Sequence, residues 1–421
     1  MPASAPPLSP LLPSAGEVGF AHLVSALQAP EPIAVPPDAA RKRLKQAPAP
    51  AAAGSEESLA DMLTRAERCA RSGRIEGALA LCQRLKPRLV ATGDLLSLGV
   101  CEHMVALSQQ YAGRMKESTL AGYRAIELLG RAQAPGRLLR VLGLQAIGMA
   151  RMGDVAESLS LLGRALRLLP EVSDLPGEQC IWWNNAGAAY HALGRLPEAV
   201  DAAVRAIGLL HGFNEANLRA VCHGNLLIYR LERALARDAS RHNSELLEAL
   251  DGIQAHIEAL IADERHHFVP EGVNAAADAM IALGRVDEAR EWLRRGVKSA
   301  QITRAGPELG LLEWRLAWVE RLAGHYRAAA GHIALALDLL SEGQSPEPLA
   351  RVHLENCLLQ EAQQHWRAAL DSHKRYAEIR EALLKTQADA RTQALSARLE
   401  VEREHAEAAM QALAARNASA A

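Results

Sequence analysis

The sequence predicts an all-α solenoid of about eight helical hairpins, and three observations support this fold class. First, nearly half of the residues are hydrophobic but only 4% are aromatic, which suits closely packed helices better than a β-sandwich. Second, most prolines after the first fifty residues fall between helical stretches. Third, a joint between two helical stretches recurs about every forty residues, which is typical of stacked units that cannot each bury an apolar face alone. The joints lie at Gly73, Gly113, Gly153, Gly194, Gly284, Gly324 and Gln364.

Two positions of the repeat carry small side chains. Seven places before the joint, all units but the one with Leu227 have a small residue: Ala66, Ala106, Ala146, Gly187, Ala277, Ala317 and Cys357. Five places after the joint, every unit has one: Ala78, Ser118, Ser158, Ala199, Ala239, Ala289, Ala329 and Ala369. We expect the two helices of each hairpin to approach most closely here, because bulk would push their backbones apart.

The fifth unit is the least regular. The joints at Gly194 and Gly284 are too far apart for one unit, so we place a middle joint near Ala234, where Ala239 keeps the small residue. The extra residues fall in 241–267, which we interpret as a lengthened second helix or a longer loop because apolar residues recur there at helical spacing.

One unit carries a known signature. In "WWNNAGAAYHALGRLPEAVDAAVRAI", one set of residues has a spacing that resembles that of the tetratricopeptide repeat (TPR): Trp183, Gly187, Tyr190, Gly194, Ala199 and Ala206. The forty-residue period implies helices about one turn longer than in the standard TPR, similar to those of bacterial signalling and transcription-regulatory proteins. The resemblance implies a right-handed superhelix whose concave groove binds a peptide or protein segment.

Three regions are expected. Residues 1–57 form an Ala/Pro-rich arm with eleven of the twenty prolines, too poor in buriable surface to be ordered. Within the arm, Phe20 and Leu23 belong to a short amphipathic segment, interpreted either as a docking helix or as a transient helix without a partner. The solenoid occupies 58–376, and 377–421 form a long polar helix.

The polar helix can be written as a weak heptad seam. Its core positions are Ala388, Thr392, Leu395, Leu399, Glu402, Ala406, Ala409 and Leu413. The helix is either a dimerising coiled coil or signalling connector, or a single solvated helix held by Glu/Arg pairs. Residues 365–408 resemble the end of the TPR sensor region of bacterial diguanylate cyclases of the GGDEF type, where such a helix leads into the output domain. Because no GGDEF sequence follows before Ala421, this resemblance implies a sensor or adaptor without the cyclase chemistry.

The TPR resemblance also selects candidate binding residues. In that family the groove is lined mainly by the first helix, at the second, fifth, sixth, ninth, twelfth and thirteenth places of a unit whose joint is the fifteenth. The candidates for partner binding are Arg140, Asn184, Asn185, His191, Asn225, Asn274, Trp314, Trp318 and Arg321, with Arg151, Asp278 and Arg315 at further groove places. Asn185 and Asn225 occupy the place where the family's asparagine commonly holds a peptide backbone, since an amide both donates and accepts hydrogen bonds. We expect the asparagines to be exposed, and the tryptophans either to anchor a ligand or to pack between repeats.

No enzyme motif, metal site or cofactor site is expected. The densest titratable cluster, "ADERHHF" at 262–268, fits no metal-binding spacing and is interpreted as a solvated loop. A net charge of −2 removes the main electrostatic argument for binding nucleic acid. No secretion signal and no apolar stretch of membrane-spanning length is found, so we expect a cytoplasmic protein.

The expected function is a non-catalytic adaptor or sensor in bacterial signalling that binds a protein or peptide partner and forms a homodimer through the C-terminal helix. Two alternatives stay open at this point. The chain could be the detached or truncated regulatory region of a diguanylate cyclase or kinase. It could also be a scaffold or chaperone that does not switch.

Overall fold

The computed structural model describes residues 58–420, except 72, 73, 113, 213, 214 and 341–345. Its α-helices are α1 (Leu59–Arg71), α2 (Ile75–Thr92), α3 (Leu95–Tyr111), α4 (Met115–Arg131), α5 (Pro135–Arg151), α6 (Val155–Leu168), α7 (Pro176–Ala192), α8 (Leu196–Leu209), α9 (Ala216–Arg237), α10 (Ser244–Ala262), α11 (Val269–Ala282), α12 (Val286–Thr303), α13 (Gly306–Leu322), α14 (Tyr326–Leu339), α15 (Pro346–Ala362) and α16 (Trp366–Ala420). Short 3-10 helices follow α6, α8 and α10. The predicted N-terminal arm and its amphipathic segment lie outside the described residues.

Successive helices pair into hairpins, eight of them in the described part of the chain. We call the odd-numbered helix of each hairpin helix A and its even-numbered partner helix B. Each helix A packs on its own helix B and on the helix A of the next hairpin. The hairpins therefore stack as a TPR-like solenoid in which the helices A form one continuous wall. This confirms the predicted fold class.

The small residues lie where the two helices of a hairpin meet. The Ser118 hydroxyl of α4 donates to the Ala106 carbonyl of α3 at 2.9 Å, and Ser158 of α6 makes the same bond to α5. In the fourth hairpin, a Cβ added at Gly187 would lie 3.3 Å from the Ala199 carbonyl oxygen. These contacts confirm the predicted close approach, because a longer side chain would have no room.

Five of the joints that the structure describes end their helix A in the left-handed conformation that glycine adopts without strain. Gly153, Gly194, Gly284 and Gly324 all have φ between 71° and 78°. Gln364 takes the same role with φ 61° in the last hairpin. Prolines then open several helices A in the first turn, where a missing N–H removes no hydrogen bond.

The fifth hairpin corrects the expected position of one joint. The joint near Ala234 is wrong, because α9 continues through Ala234 to Arg237, and Ala239 is exposed in the loop that follows. Helix α10 begins only after Asn243, whose side chain accepts from the Leu246 N–H at 3.1 Å. The residues around Ala234 favour helix, whereas Asn243 is a strong N-cap, so the cap decides where helix B begins.

The last helix returns to the beginning of the solenoid. Helix α16 is 55 residues long and runs through 376 and 377 without a break. It packs on α15 and, further along, on α4 of the second hairpin. Val401 is only 3% exposed and belongs to the apolar core of the first four hairpins. Helix α16 therefore ties the last hairpin to the second.

The seam positions whose side chains the structure describes do not make this contact. Ala388, Thr392, Leu395 and Leu399 are exposed in the single chain. Pairing of two copies through this seam stays a prediction. None of the helices in the described part of the chain is both long and apolar enough to span a bilayer.

Replacing the small residue of α8 tests the close approach inside a hairpin. Ala199→Leu is expected to lower the free energy of unfolding by about 1–3 kcal/mol, because the added atoms must separate α7 from α8. The control is Val204→Leu on the exposed side of the same helix, which should change little. Urea unfolding followed by circular dichroism measures both. Equal midpoints for the two variants would contradict the packing.

Placing a charge at Val401 tests the return of α16. Val401→Asp is expected to detach the distal part of α16 from α4, because an unpaired carboxylate is costly inside an apolar core. Hydrogen exchange of the α4 amides should then accelerate. Leu399→Asp is the matched control, since Leu399 is 65% exposed two residues away and should leave exchange in α4 unchanged. Similar exchange in both variants would argue against the contact.

Candidate functional site

A groove of about 510 Å³ opens on the wall formed by the helices A of the first four hairpins. It is lined by Ala60, Leu63, Thr64 and Glu67 of α1, Leu96, Ser97 and Val100 of α3, Ala134, Pro135, Gly136 and Arg137 at the start of α5, and Leu175 and Glu178 at the start of α7. The groove thus spans four consecutive units. Its size is within the usual range for ligand sites in proteins.

The charged side chains of the groove are already paired with each other. Arg137 of α5 donates to Glu67 of α1 at 2.7 Å. This bond joins two helices A that belong to the third and the first hairpin. Arg140 of α5 donates to Glu178 of α7 through two nitrogens, one of them at 2.8 Å. These pairs leave an apolar floor of leucine, valine and proline with hydroxyl groups at its edge. Such a surface suits a segment that brings apolar side chains and a polar backbone.

Sequence reasoning missed the part of this groove that lies in the first two hairpins. The second, fifth, sixth and ninth places of the first unit are Ala60, Leu63, Thr64 and Glu67, and all four line the groove. Val100 is the second place of the second unit and lines it too. The groove places of the TPR family therefore select lining residues in the first two units as well, and this signal is present in the sequence.

The structure does not expose the predicted asparagines. Asn184, Asn185, Asn225 and Asn274 are all buried, so the expectation that they face open groove is wrong. Asn225 of α9 donates to Asn184 of α7 at 2.9 Å. Neighbouring helices A stack closely enough that residues about one repeat apart meet each other instead of solvent. Their predicted role in partner binding is a separate matter and stays a prediction.

The predicted charged residues form pairs along the wall instead of one site. His191 of α7 lies 2.7 Å from Glu232 of α9, through Nε2 and Oε2. Arg315 of α13 donates to Asp278 of α11 through two nitrogens, both at 2.8 Å. The remaining candidate, Arg321, donates to Glu355 of α15. Among the predicted residues, Arg140 lies beside the groove, because its partner Glu178 lines it.

The two predicted anchor tryptophans pack between repeats. Trp314 and Trp318 stack with their ring centroids 6.3 Å apart, and both are partly buried. Trp314 packs on the core of the last two hairpins and Trp318 on the core of the preceding ones. The Arg315 guanidinium lies 4.7 Å from the Trp314 ring centroid. These contacts favour the packing interpretation over an exposed anchor.

A second polar region lies further along the wall. We call Glu232 of α9, Glu271 of α11 and Glu308 of α13 the buried acid cluster. Burial and, to a smaller extent, the charge of Glu232 raise the pKa of Glu271 to about 8, while Arg151 acts in the opposite direction. Tyr229 stacks on His191 at 4.7 Å, and burial raises the pKa of its hydroxyl well above the ordinary value. Glu271 is therefore protonated at neutral pH.

The segment "ADERHHF" forms the turn between α10 and α11. Asp263, Glu264 and His267 are exposed, as expected of a solvated turn, whereas Phe268 is buried. His266 lies 3.2 Å from the Ser299 hydroxyl through Nδ1. Across the described ranges, no group of three or more His, Cys, Asp and Glu residues is arranged to hold a metal ion.

Comparison with known proteins identifies the fold. No protein-family model and no curated protein sequence matches the chain. The apo form of RapI matches with a TM-score of 0.54 and 13% identity, over 82% of this chain and 98% of RapI. A Rap protein complexed with competence and sporulation factor matches with 0.52 and 11%, over 79% of this chain and 100% of that protein. A STAND signal transduction ATPase with a TPR sensor, from Pyrococcus horikoshii, matches with 0.52 and 10%, over 80% of this chain and 52% of its own.

At these identities the similarity concerns the fold alone. It supports TPR-like helical repeats, in agreement with the stacked hairpins. This chain spans almost the full length of the two Rap structures and about half of the STAND protein. The resemblance of 365–408 to GGDEF-type sensor regions stays a prediction.

The raised pKa of Glu271 predicts a pH-dependent stability. The native carboxyl keeps its proton up to about pH 8, whereas the unfolded chain releases it near the ordinary value of 4.5. Between these values the native state binds more protons, so the free energy of unfolding falls as pH rises, by up to about 1.4 kcal/mol per pH unit.

Glu271→Gln removes this contribution, so its melting temperature should fall less steeply over the same pH range than that of the wild type. Glu264→Gln changes an exposed glutamate of the neighbouring turn and is the control. Parallel pH profiles for wild type and Glu271→Gln would contradict the burial of a protonated carboxyl.

Proposed function

We propose that the protein is a non-catalytic adaptor or sensor that binds a peptide or protein segment in the groove of the first four hairpins. The observation that carries this proposal is the groove itself, which is open, is lined by four successive helices A and has an apolar floor between paired charges. The TPR-like fold supports it, because one Rap protein of this fold is complexed with competence and sporulation factor.

The lining favours an extended segment over a small polar molecule. Leu63, Leu96, Val100 and Leu175 come from three different helices and give separate apolar contacts along the groove. The hydroxyls of Thr64 and Ser97 at the edge of the groove can form hydrogen bonds to the backbone of a segment without selecting its side chains. A segment that fills the groove would bury this apolar surface, which is the main source of affinity.

The residues selected from the TPR resemblance enter this proposal in two ways. Arg140 is close enough to the groove to contact a ligand, provided that its pair with Glu178 rearranges. The other members set the spacing of the helices A and thereby the shape of the groove. They are Asn184, Asn185, His191, Asn225, Asn274, Trp314, Trp318 and Arg321.

Helix α16 is the element that would report binding. It contacts α4, whose own hairpin partner α3 lines the groove. A ligand that prefers one spacing of α1, α3 and α5 would change the support under α16, and only that difference in affinity can shift the helix. The exposed Leu395 and Leu399 would then be available for a second copy or an output protein.

The proposal also includes a cytoplasmic location and a role in bacterial signalling.

The groove is tested by selecting peptides from a random library on the immobilised full chain. Leu96 is 46% exposed in the groove, and Leu166 is 42% exposed on helix B of the third hairpin, so Leu96→Asp and Leu166→Asp are matched variants. Selected peptides should bind Leu96→Asp at least about tenfold more weakly, because a carboxylate replaces an apolar contact, and should bind Leu166→Asp as they bind wild type.

Binding is measured by fluorescence anisotropy of labelled peptides, and circular dichroism checks that both variants are folded. If no peptide is enriched, or if enriched peptides bind both variants equally, the groove is not the binding site.

A further inference from the structure

The interior between α9 and α11 contains several polar atoms without a partner. Glu232 Oε1, Glu271 Oε2, Tyr229 Oη and Asn274 Oδ1 are buried, and none of them makes a hydrogen bond. The residues Tyr229, Asn274 and Glu271 are only 3%, 6% and 8% exposed. Buried polar atoms in native proteins are normally bonded, so a group of four in one region requires a reason.

These atoms lie around one point of the wall. Tyr229 stacks on His191. His191 Nε2 lies 2.7 Å from Glu232 Oε2, so it does not bond to the other oxygen of that carboxyl, Oε1. The charges of Glu232 and Glu271 both act on the Tyr229 hydroxyl. Asn274 follows Glu271 by three residues on α11, so the two side chains lie on the same face of that helix. The residues with unbonded oxygens therefore lie three positions apart on each of two adjacent helices A, Tyr229 and Glu232 on α9 and Glu271 and Asn274 on α11.

Among the groups whose charge acts on Glu271, carboxyls outnumber cations. The buried acid cluster brings three carboxyls from α9, α11 and α13, and the Arg151 guanidinium of α5 acts on it from the other side. The other titratable groups around Glu271 are His191 of α7, Tyr229 of α9, and His256 of α10, which lines a small cavity together with Glu271. Burial lowers the pKa of His256 and so favours its neutral form. Carboxyls grouped in a buried site are stabilised by positive charge.

We propose that Glu232, Glu271 and Asn274 bind a primary ammonium group, which a lysine side chain or the free amino end of a bound peptide supplies. This inference rests on the proposed peptide-binding function. An ammonium carries three N–H donors, and the three unbonded oxygens of these residues match them in number. A metal ion fits less well, because no metal-binding group of residues is found in the described part of the chain.

The reach of such a ligand agrees with the burial of the site. Glu178 in the groove and His191 at the site lie on the same helix, α7, about 20 Å apart at 1.5 Å per residue, so a bound segment must continue along the wall beyond the groove to reach the site. There a lysine stem, which carries its charge about four methylenes away from the backbone, can bring the ammonium into the wall. Hydrogen bonds between a charged donor and a carboxylate are stronger than those between neutral groups. The ammonium therefore compensates for the polar atoms that the free chain leaves unbonded.

Binding is coupled to the release of a proton. In the free protein, burial keeps Glu271 protonated up to about pH 8. The arriving ammonium favours the carboxylate, so the Glu271 proton passes to the solvent buffer and the carboxylate accepts an N–H of the ligand. The affinity of a lysine side chain should rise by about tenfold per pH unit as the pH approaches the pKa of Glu271, and become constant above it. An amino end loses its own proton at about pH 8, so its affinity should fall again above that pH.

The test titrates the full chain calorimetrically with n-butylammonium, which represents a lysine side chain, and with alaninamide, which represents an amino end. Each titration is run in two buffers of different ionisation enthalpy, at a pH below the pKa of Glu271. We expect at least one probe to bind and to release close to one proton per site. The probe that binds more tightly identifies the source of the ammonium, and n-butanol, which has no charge, should not bind.

Three variants make the result decisive. Glu271→Gln should weaken binding by at least about tenfold and abolish proton release, because it removes the titrating carboxyl. Asn274→Leu removes an acceptor and leaves the carboxyl, so it should weaken binding and keep proton release. Glu264→Gln on the neighbouring exposed turn should behave as wild type.

Two results would overturn the proposal. One is the absence of saturable binding for both probes with wild-type protein. The other is equal affinity and equal proton release in wild type and Glu271→Gln. Neither result depends on the groove, because the probes are too small to need it, and peptide binding that is lost in Leu96→Asp would still support the proposed function. Conversely, probe binding without any peptide selection would support this site and reject the groove.

Discussion

The close approach of two helices inside each hairpin is the constraint on which the rest of the solenoid depends. Ser118 and Ser158 donate directly to carbonyls of the facing helix, which requires the two backbones to be almost in contact. Protein interiors tolerate little extra volume, so a larger side chain at these places would tilt the hairpin. Because each helix A rests on the helix A before it, the tilt would be passed along the wall and would deform the groove.

A series of polar pairs holds the helices A in register with each other. Asn225 with Asn184 and His191 with Glu232 join α7 to α9 at two heights. Apolar packing alone leaves the register loosely specified, whereas a buried polar pair is satisfied in one register only. The same pairs occupy side chains that a family pattern would assign to ligand binding. Where the groove opens, apolar residues such as Leu63 of α1 reach the surface instead.

Helix α16 connects the last hairpin of the solenoid to the second. In a linear stack of repeats each unit contacts only its neighbours, so the first and last units are independent. Val401 removes that independence, because it places the last helix in the core of the first hairpins. A change in the spacing of the helices A of the first hairpins then acts on α16, which carries the exposed Leu395 and Leu399. Coupling of this kind needs no long chain of intermediates, since the two regions are in direct contact.

Sequence by itself determined the repeat, the number of hairpins, most of the joints and the contact inside each hairpin. These features depend on residues close together in the chain, such as Gly194 and Ala199, whose steric requirements are local. The predicted position of the fifth joint was also wrong for a local reason, because the strong N-cap at Asn243, and not the expected repeat spacing, decides where α10 begins.

Only the tertiary structure decided the rest. The stacking distance of successive helices A decides whether Asn184 is exposed to solvent or bonded to Asn225. The position of the groove depends on the curvature that several units produce together. The burial of Val401 and the convergence of Glu232 with Glu271 join residues from different hairpins. A local pattern carries no record of such contacts, because their formation depends on the geometry of every unit between them.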